Sequence, residues 1–440
     1  MVRRRVLIDV GPLRRSKDFR YLFFGEMVSL TGSALTTVAV PFQLYSLTGS
    51  SLQVGLASLV QLIPLIACSF VGGAIADTYD RRRVLLVAEL AMAGCSAALA
   101  LNSTIGNKPA VWPLYVFSAA SAGLSGVESP TRVASAASVL DRSELTRMSA
   151  LFQALFQTST VVGPLLAGIV ISTAGLGAAY WADVASFGAA FAGAWLLRPL
   201  PPAHQVTAMG LKAVKEGISF LRGDRALQTV YLIDLVAMVF GMPRALFPAF
   251  GTVLFHGDAR TVSYLYTAVG AGALIGALTT GWVTHVRRQG RAVVIAVLVW
   301  GASIAAFGLV RSLAVALLCL AMAGWADVVS AIFRNSILQL RVPDKLRGRM
   351  NAIQTAVVAG GPRLGDFESG AVATLVSPRF SVVSGGLASM AVAAVLTITM
   401  PMFWRLRLAP HAPLPNDTFQ EAAMPDATTE ATPGDGIVSP

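Results

Sequence analysis

Apolar residues along this chain collect into long uninterrupted runs rather than into the alternating or amphipathic patterns of soluble domains. A run of about 20 residues, at about 1.5 Å per residue, crosses a hydrocarbon layer of about 30 Å as an α-helix. The pattern therefore predicts an all-α membrane protein with twelve transmembrane helices. The predicted spans are residues 20–46, 53–76, 83–103, 112–136, 148–174, 178–198, 227–255, 260–284, 292–311, 313–337, 350–376 and 381–404.

The spans form two sets of six, and landmarks recur between the sets at a nearly constant offset. The tetrapeptide RMSA at 147–150 returns as RMNA at 349–352, an offset of 349 − 147 = 202, and Arg132 to Arg334 gives the same 202. Further pairs are Gly163-Pro164 with Gly361-Pro362, Pro41 with Pro248, and Gly73 with Gly281. We predict a duplicated unit, with pseudo-symmetric halves at 1–198 and 227–407 and a substrate path between them at the bilayer midplane.

Two segments lie outside these halves. The connection 199–226 carries apolar residues at helical spacing (Leu211, Val214, Ile218 and Leu221), which predicts an amphipathic helix lying on the cytoplasmic membrane face. The segment 408–440 is rich in proline and acidic residues and has no Lys or Arg, which predicts a disordered cytoplasmic tail.

Composition and charge narrow the class of protein. Hydrophobic residues make up 55% of the chain and charged residues only 13%, which excludes a soluble enzyme. The net charge of +11 could suggest a nucleic-acid partner, but Lys and Arg concentrate in alternate loops. This distribution follows the positive-inside rule, so we expect a plasma (inner) membrane protein with both termini in the cytoplasm and the lipid bilayer as its surroundings.

Motifs for chemistry on a bound group are missing from the sequence. The three cysteines lie within predicted spans without metal-ligand spacing, and the sequence has no nucleotide loop, nucleophile motif or histidine cluster. We expect neither an enzyme nor a metal or cofactor site.

The loop after the second span reads GAIADTYDRRR from Gly73 to Arg83. Asp77 and the arginines each oppose the dipole of their own helix, so we expect Asp77 to have a partner elsewhere, either a helix N-terminus or an arginine of the other half. Gly73 would then allow two backbones to approach closely. The alternative is simple positive-inside anchoring by the arginines.

This loop resembles the signature of the major facilitator superfamily, with departures at Thr78 and Asp80. The resemblance implies that Gly73, Asp77, Arg81 and Arg82 belong to a cytoplasmic gate. Similarly, Gly163-Pro164-Leu165-Leu166-Ala167-Gly168 resembles the superfamily's antiporter motif, although a structural kink is the alternative. Across nearly the whole chain except the tail, the sequence is similar to the branch that contains the enterobactin exporters and drug:proton antiporters. The shared motifs include QVGL at 53–56, LIGAL at 274–278 and RALFP at 244–248.

Charged residues inside the spans are candidates for a proton or substrate pathway, because they are expensive in a membrane. These candidates are Glu26, Glu128, Asp234, Arg244, Asp327, Asp366 and Glu368. Asp234 and Arg244 are 244 − 234 = 10 residues apart, about 15 Å along one predicted helix, which is too far for a direct pair. Helices one, four, seven and ten, which the superfamily resemblance implies line the cavity, each carry a carboxylate. Alternatives remain for some residues. Glu128 and Arg334 could be interfacial or snorkelling groups, and Arg363 and Asp366 could neutralise each other. We expect Glu89 and Asp183 to be structural.

Together these features favour a monomeric secondary transporter that exports an amphipathic small molecule, such as a siderophore or drug, in exchange for protons. A proton symporter for uptake and a non-transporting membrane sensor are the alternatives.

Overall fold

The computed structural model describes residues 9–105, 108–201 and 211–406 and is built from helices in these segments. The helices before the linker are α1 (Gly11–Arg15), α2 (Lys17–Thr48), α3 (Ser51–Thr78), α4 (Arg81–Thr104), α5 (Trp112–Ser138) and α6 (Leu145–Trp195). The helices after it are α7 (Leu211–Gly223), α8 (Arg225–Phe240), α9 (Phe247–Ala249), α10 (Ala259–Thr279), α11 (Gln289–Leu309), α12 (Leu313–Arg341), α13 (Asp344–Leu375), α14 (Pro378–Thr399) and α15 (Pro401–Trp404).

Nine helical segments of the described chain are long and apolar enough to cross a membrane. One of them, Arg142–Trp195, has 54 residues, more than twice the length that a bilayer requires. Its α-helix is broken at Gly175, whose positive φ of 85° is readily accessible to glycine. Helices α5 and α13, with 27 and 32 residues, match the nine in length but are not among them. The chain is therefore an all-helical, multi-pass integral membrane protein.

Large apolar side chains cover much of the outer surface. Leu278, Leu375 and Ile398 are 77%, 83% and 78% exposed. Such exposure would be unfavourable in water over so many positions, whereas lipid tails accommodate it. These residues therefore mark the lipid-facing surface of the helices.

For description we divide the helices at the linker into a first set (residues 9–201) and a second set (residues 211–406). Within the first set α2 and α4 pack on α6, and α3 packs on α5. Within the second set α12 packs on α10 and α11, while α14 packs on α8, α11 and α13. The main contacts between the sets are α3 with α13 and α6 with α10.

The seventh predicted span is not one continuous helix. Helix α8 ends at Phe240, and Arg244 begins a short 3-10 turn that leads into α9 and a π-helical turn at Phe250–Leu254. Pro243 accounts for the break, because it lacks an N–H donor and disfavours helical geometry at the residue before it. The expectation that Asp234 and Arg244 share one straight helix is therefore wrong.

The amphipathic linker helix forms as α7 and packs against α8 and α13. A Cβ added to Gly217 would meet the Ile353 and Arg349 side chains, and Arg349 forms an ion pair with Glu216. Helix α7 therefore packs against α13 of the protein, in addition to the contact with the membrane surface that its sequence predicts. The predicted tail at 408–440 lies outside the described residues.

Candidate functional site

Three carboxylates surround one arginine inside the first set, and we call Glu26, Glu89, Glu128 and Arg132 the first ionic cluster. The Arg132 guanidinium forms ion pairs with Glu26 of α2, Glu89 of α4 and Glu128 of its own helix α5. The Glu89 side chain is fully buried, and the other three are 6–14% exposed. If every group is ionised, three negative charges face one positive charge, which leaves the cluster with an excess of two negative charges.

A second ionic cluster, Asp234, Asp327 and Arg334, lies within the second set. Arg334 of α12 has its guanidinium 2.8 Å from Asp234 of α8 and 3.7 Å from Asp327 of its own helix. The contact between Arg334 and Asp234 lacks hydrogen-bond geometry, so it is an ion pair only. Asp234 is 2% exposed whereas Asp327 is 33% exposed, so the cluster extends from a buried acid to an accessible one.

The residues of the two clusters are related by the offsets of the sequence repeat. Arg132 and Arg334 are 334 − 132 = 202 residues apart, and Glu26 and Asp234 are 234 − 26 = 208 residues apart. These are the offsets of the repeated tetrapeptide and of the Gly73–Gly281 pair. Adding 202 to Glu128 gives Ser330, whose hydroxyl accepts a 2.8 Å hydrogen bond from Arg334. Each set therefore places a membrane-embedded arginine against an acid from its first long helix.

The sequence indicated most of these residues but not their partners. Glu128 and Arg334 are buried within ion pairs rather than extended as free snorkelling groups. Glu89, expected to be only structural, is a full member of the first ionic cluster. Arg132 was not among the candidate residues. The repeat offsets contain the signal that could have found it, because they relate Glu26 to Asp234 and Arg132 to Arg334.

Asp183, by contrast, has the surroundings of a structural acid. Its carboxylate accepts 2.7 Å hydrogen bonds from the hydroxyls of Thr36 and Ser96 and a longer one from Ser186. These donors tie α6 to α2 and α4, which agrees with the structural role expected for this residue.

Asp366 lies where α13 meets α3 and the broken seventh span. One carboxylate oxygen accepts a 2.9 Å hydrogen bond from the Ser58 hydroxyl, and the other accepts a 3.0 Å bond from the Ala245 N–H. Arg363, three residues earlier, donates instead to the Ala359 carbonyl oxygen at 2.7 Å. Arg363 and Asp366 therefore make no direct ion pair, although their charges still attract each other. Glu368 has a buried oxygen with no hydrogen-bond partner among the described residues.

The predicted gate loop differs from expectation at its glycine. A Cβ added to Gly73 would meet nothing within 4 Å, whereas at Gly72 it would lie 2.7 Å from the Val127 Cα and 2.8 Å from the Gly126 carbonyl oxygen. The close approach of two backbones therefore depends on Gly72, one residue earlier. A sequence motif does not determine which of two adjacent glycines faces the neighbouring helix.

Asp77 also has a different partner from the one expected. Its carboxylate lies 3.9 Å from Arg81 of the same loop rather than against the second set. Arg81 donates to the carbonyl oxygens of Ala76 and Ala134, and Arg82 donates to that of Trp195 at 2.6 Å. Both arginines thus contact carbonyl groups at the carboxyl ends of helices in the first set, where positive charge is favourable.

The antiporter-like motif is a site of close helix packing. A Cβ added to Gly163 would lie 2.2 Å from the Ala34 Cβ of α2, and one added to Gly168 would lie 2.7 Å from the Ser263 Cβ of α10. Pro164 lies between them inside α6. Gly168 therefore permits a contact between the two sets, and Gly163 permits one within the first set.

The contacts between the sets concentrate at one end of the helices. A Cβ added to Gly55, near the start of α3, would lie 2.4 Å from the Asp366 carbonyl oxygen, and one added to Gly370 would lie 2.5 Å from that of Ser51. Arg260 at the start of α10 donates a 2.6 Å hydrogen bond to Ser172 of α6, near the Gly175 break. The gate loop lies at the other end of α3, away from these contacts.

An apolar cleft of about 300 Å³ opens between the sets. Helix α3, the linker helix α7, α8 and α13 contribute to its walls, which include Leu62, Ile66, Phe70, Ile218, Leu235 and Leu364. Leu235 is adjacent to Asp234, so the cleft and the second ionic cluster share helix α8. Within the described residues, no group of three His, Cys, Asp or Glu side chains is arranged to hold a metal ion.

A family model described as transmembrane secretion effector, of the major facilitator superfamily, matches residues 9–428. The chain belongs to this family. It is therefore a transporter of the major facilitator superfamily, not an enzyme, and carries a small-molecule substrate.

Curated relatives are similar to this chain along nearly its whole length. The enterobactin exporter EntS of Citrobacter koseri is 26% identical over 420 residues, which cover 94% of this chain and 99% of that protein. EntS of Escherichia coli O81 is 26% identical over 411 residues, with 92% and 97% covered.

Solved structures of distant sequence share the fold. The D323A mutant of the nucleoside transporter NupG matches this chain with a TM-score of 0.70 at 11% identity, with 87% of this chain and 100% of NupG covered. The human organic anion transporter MFSD10 has a TM-score of 0.61 at 16% identity, with 88% of this chain and 100% of that protein covered. At such identities these similarities concern the fold alone.

Proposed function

We propose that this family member exports an amphipathic small molecule, of the siderophore or drug class, across the inner membrane in exchange for protons. The proposal includes twelve transmembrane helices in two six-helix halves, both termini in the cytoplasm, a monomeric transporter and alternating access. The duplicated landmarks and the break in α6 at Gly175 support this architecture. The enterobactin exporters, which it resembles over nearly their full length, support the direction and the substrate class.

The observation that carries the proposal is the excess of carboxylates over arginines in the two ionic clusters. The first has three acids around Arg132 and the second has two around Arg334. Because uncompensated buried charge costs several kcal/mol per ion, such clusters favour binding protons when they are closed to water. When a conformational change opens a cluster to water, or moves one of its acids relative to the arginine, the proton affinity of the acids changes. Such a dependence of proton affinity on conformation is the requirement for coupling.

Alternating access fits the positions of the contacts. The sets meet at the start of α3 and near the Gly175 break. At the opposite end, the side-chain hydrogen bonds and ion pair that Asp77, Arg81 and Arg82 make within the described residues stay in the first set. With the basic loops in the cytoplasm, this is a conformation closed to the outside. In the opposite conformation Asp77 would engage the second set, and the contact of Ser58 with Asp366 would break.

The test uses purified protein in proteoliposomes with an imposed pH gradient and enterobactin as the first compound of a screened panel. Accumulation in the acidic compartment, accompanied by proton movement in the opposite direction, is the expected result. Movement of protons and compound in the same direction would favour the uptake symporter. Undiminished efflux from cells that retain ATP but have lost their proton gradient would overturn proton coupling.

A further inference from the structure

Two arginines near the break in the seventh span lack a partner of their own. Arg244 begins the 3-10 turn after the break, and Arg363 lies on α13, which packs against the same region. Both guanidinium charges act on Asp366, and they also repel each other. The three residues therefore form one electrostatic group inside the membrane-spanning part of the protein.

The single carboxylate of this group is already engaged. Asp366 accepts hydrogen bonds from the Ser58 hydroxyl and from the Ala245 N–H. Among the residues that the structure describes, it makes no direct ion pair with Arg244 or Arg363. Arg363 donates to the Ala359 carbonyl, and its buried Nε has no hydrogen-bond partner in the structure. The Arg244 side chain is half-buried. Donors of both arginines thus remain available for another acceptor.

Charge counting gives the group an excess of one positive charge. The nearby Tyr266 contributes a hydroxyl that donates to the Arg244 carbonyl oxygen, not a charge. Asp234 and Asp327 pair with Arg334, and among the described residues Glu368 makes no ion pair with Arg244 or Arg363. An anionic ligand would compensate this excess.

We propose that Arg244 and Arg363 form the binding site for an organic oxyanion of the carboxylate type on the transported molecule. This inference rests on the proposed function and adds a substrate class to it. A guanidinium presents planar, paired N–H donors that match a carboxylate, and such charge-assisted bonds are about twice as strong as neutral ones. The adjacent apolar cleft, which includes Leu364 next to Arg363, accepts the apolar part of the same molecule.

The experiment measures the thermal stability of purified protein with benzoate or with neutral benzamide as the probe, at constant ionic strength. Benzoate is expected to raise the unfolding temperature of the wild-type protein, and benzamide is not. Arg244→Gln and Arg363→Gln should each weaken the apparent benzoate affinity by at least about tenfold, because each removes a charge-assisted bond. Arg311→Gln, at an exposed arginine just after the end of α11, is the matched control and should keep the wild-type response.

Lysine variants, which keep the positive charge, distinguish a loss of benzoate binding from a loss of folding. Arg244→Lys and Arg363→Lys should recover part of the benzoate response, and the unliganded unfolding temperature of every variant shows whether it folds. Equal stabilisation by benzoate and benzamide, no stabilisation of the wild-type protein by benzoate, or an unchanged affinity in both glutamine variants would each overturn the inference. Because this assay uses no gradient, its failure is distinct from a failure of proton-driven export.

Discussion

Replacing Asp234 by Asn tests whether the second ionic cluster carries a coupled proton. Asp234 is 2% exposed and lies 2.8 Å from Arg334, so the substitution keeps the shape of the side chain and removes its capacity to bind and release a proton. Arg334 retains Asp327 at 3.7 Å. The variant should therefore lose less stability than the roughly 3–5 kcal/mol expected when a buried charge loses its only partner.

The expected effect on transport is large. One exchanged proton contributes about 1.36 kcal/mol per pH unit, so it supports up to about tenfold accumulation of substrate per unit of gradient. Two exchanged protons, one at each cluster, would support about a hundredfold. If Asp234 is required for coupling, Asp234→Asn should reduce gradient-driven accumulation to about equal concentrations inside and outside, with substrate binding retained.

The assay is accumulation in proteoliposomes with the membrane potential clamped at zero and a gradient of about one pH unit. The compound used is one that the wild-type protein accumulates and whose charge is constant over this pH range. Asp258→Asn is the matched control, because Asp258 is an exposed helix N-cap outside the clusters and Asn also caps helices well. If Asp234→Asn still accumulates substrate with the wild-type pH dependence, the coupled proton is bound elsewhere and the reasoning about this acid is wrong.

Three further predictions concern the first cluster, the gate loop and the contact between the sets. Arg132→Gln should lower the unfolding free energy by about 3–5 kcal/mol, because it leaves three buried acids without their cation. Adding Glu89→Gln to this variant should restore part of the lost stability. An unchanged unfolding temperature in Arg132→Gln alone would contradict this prediction. Asp77→Asn should slow turnover more than it weakens substrate binding, as expected of a residue that biases conformations; weaker binding with normal turnover would indicate a substrate contact. Gly55→Val should lengthen spin-label distances between α3 and α13, since even a Cβ there lies 2.4 Å from the Asp366 carbonyl oxygen; unchanged distances would show that the contact tolerates a side chain.

The sequence determined where most helices begin and end. Uninterrupted apolar runs indicate membrane helices because bilayer thickness fixes their length, and the described helices follow the predicted spans within a few residues at most boundaries. The repeat offsets even contained the correspondence of Glu26 with Asp234. Pro243 marked the break in the seventh span, although its consequence for the distance between Asp234 and Arg244 was missed.

Only the tertiary structure decided which charges meet. Arg132 gathers acids from three helices, and no spacing along the chain encodes that convergence. Arg363 and Asp366 have the spacing of a helical ion pair, but packing of α13 against α3 supplies Ser58 as a competing partner for the acid. Membrane helices are all apolar around much of their circumference, so the sequence specifies their length well and their rotation poorly. The rotation determines which neighbours a polar side chain finds, and it is set by close packing between helices.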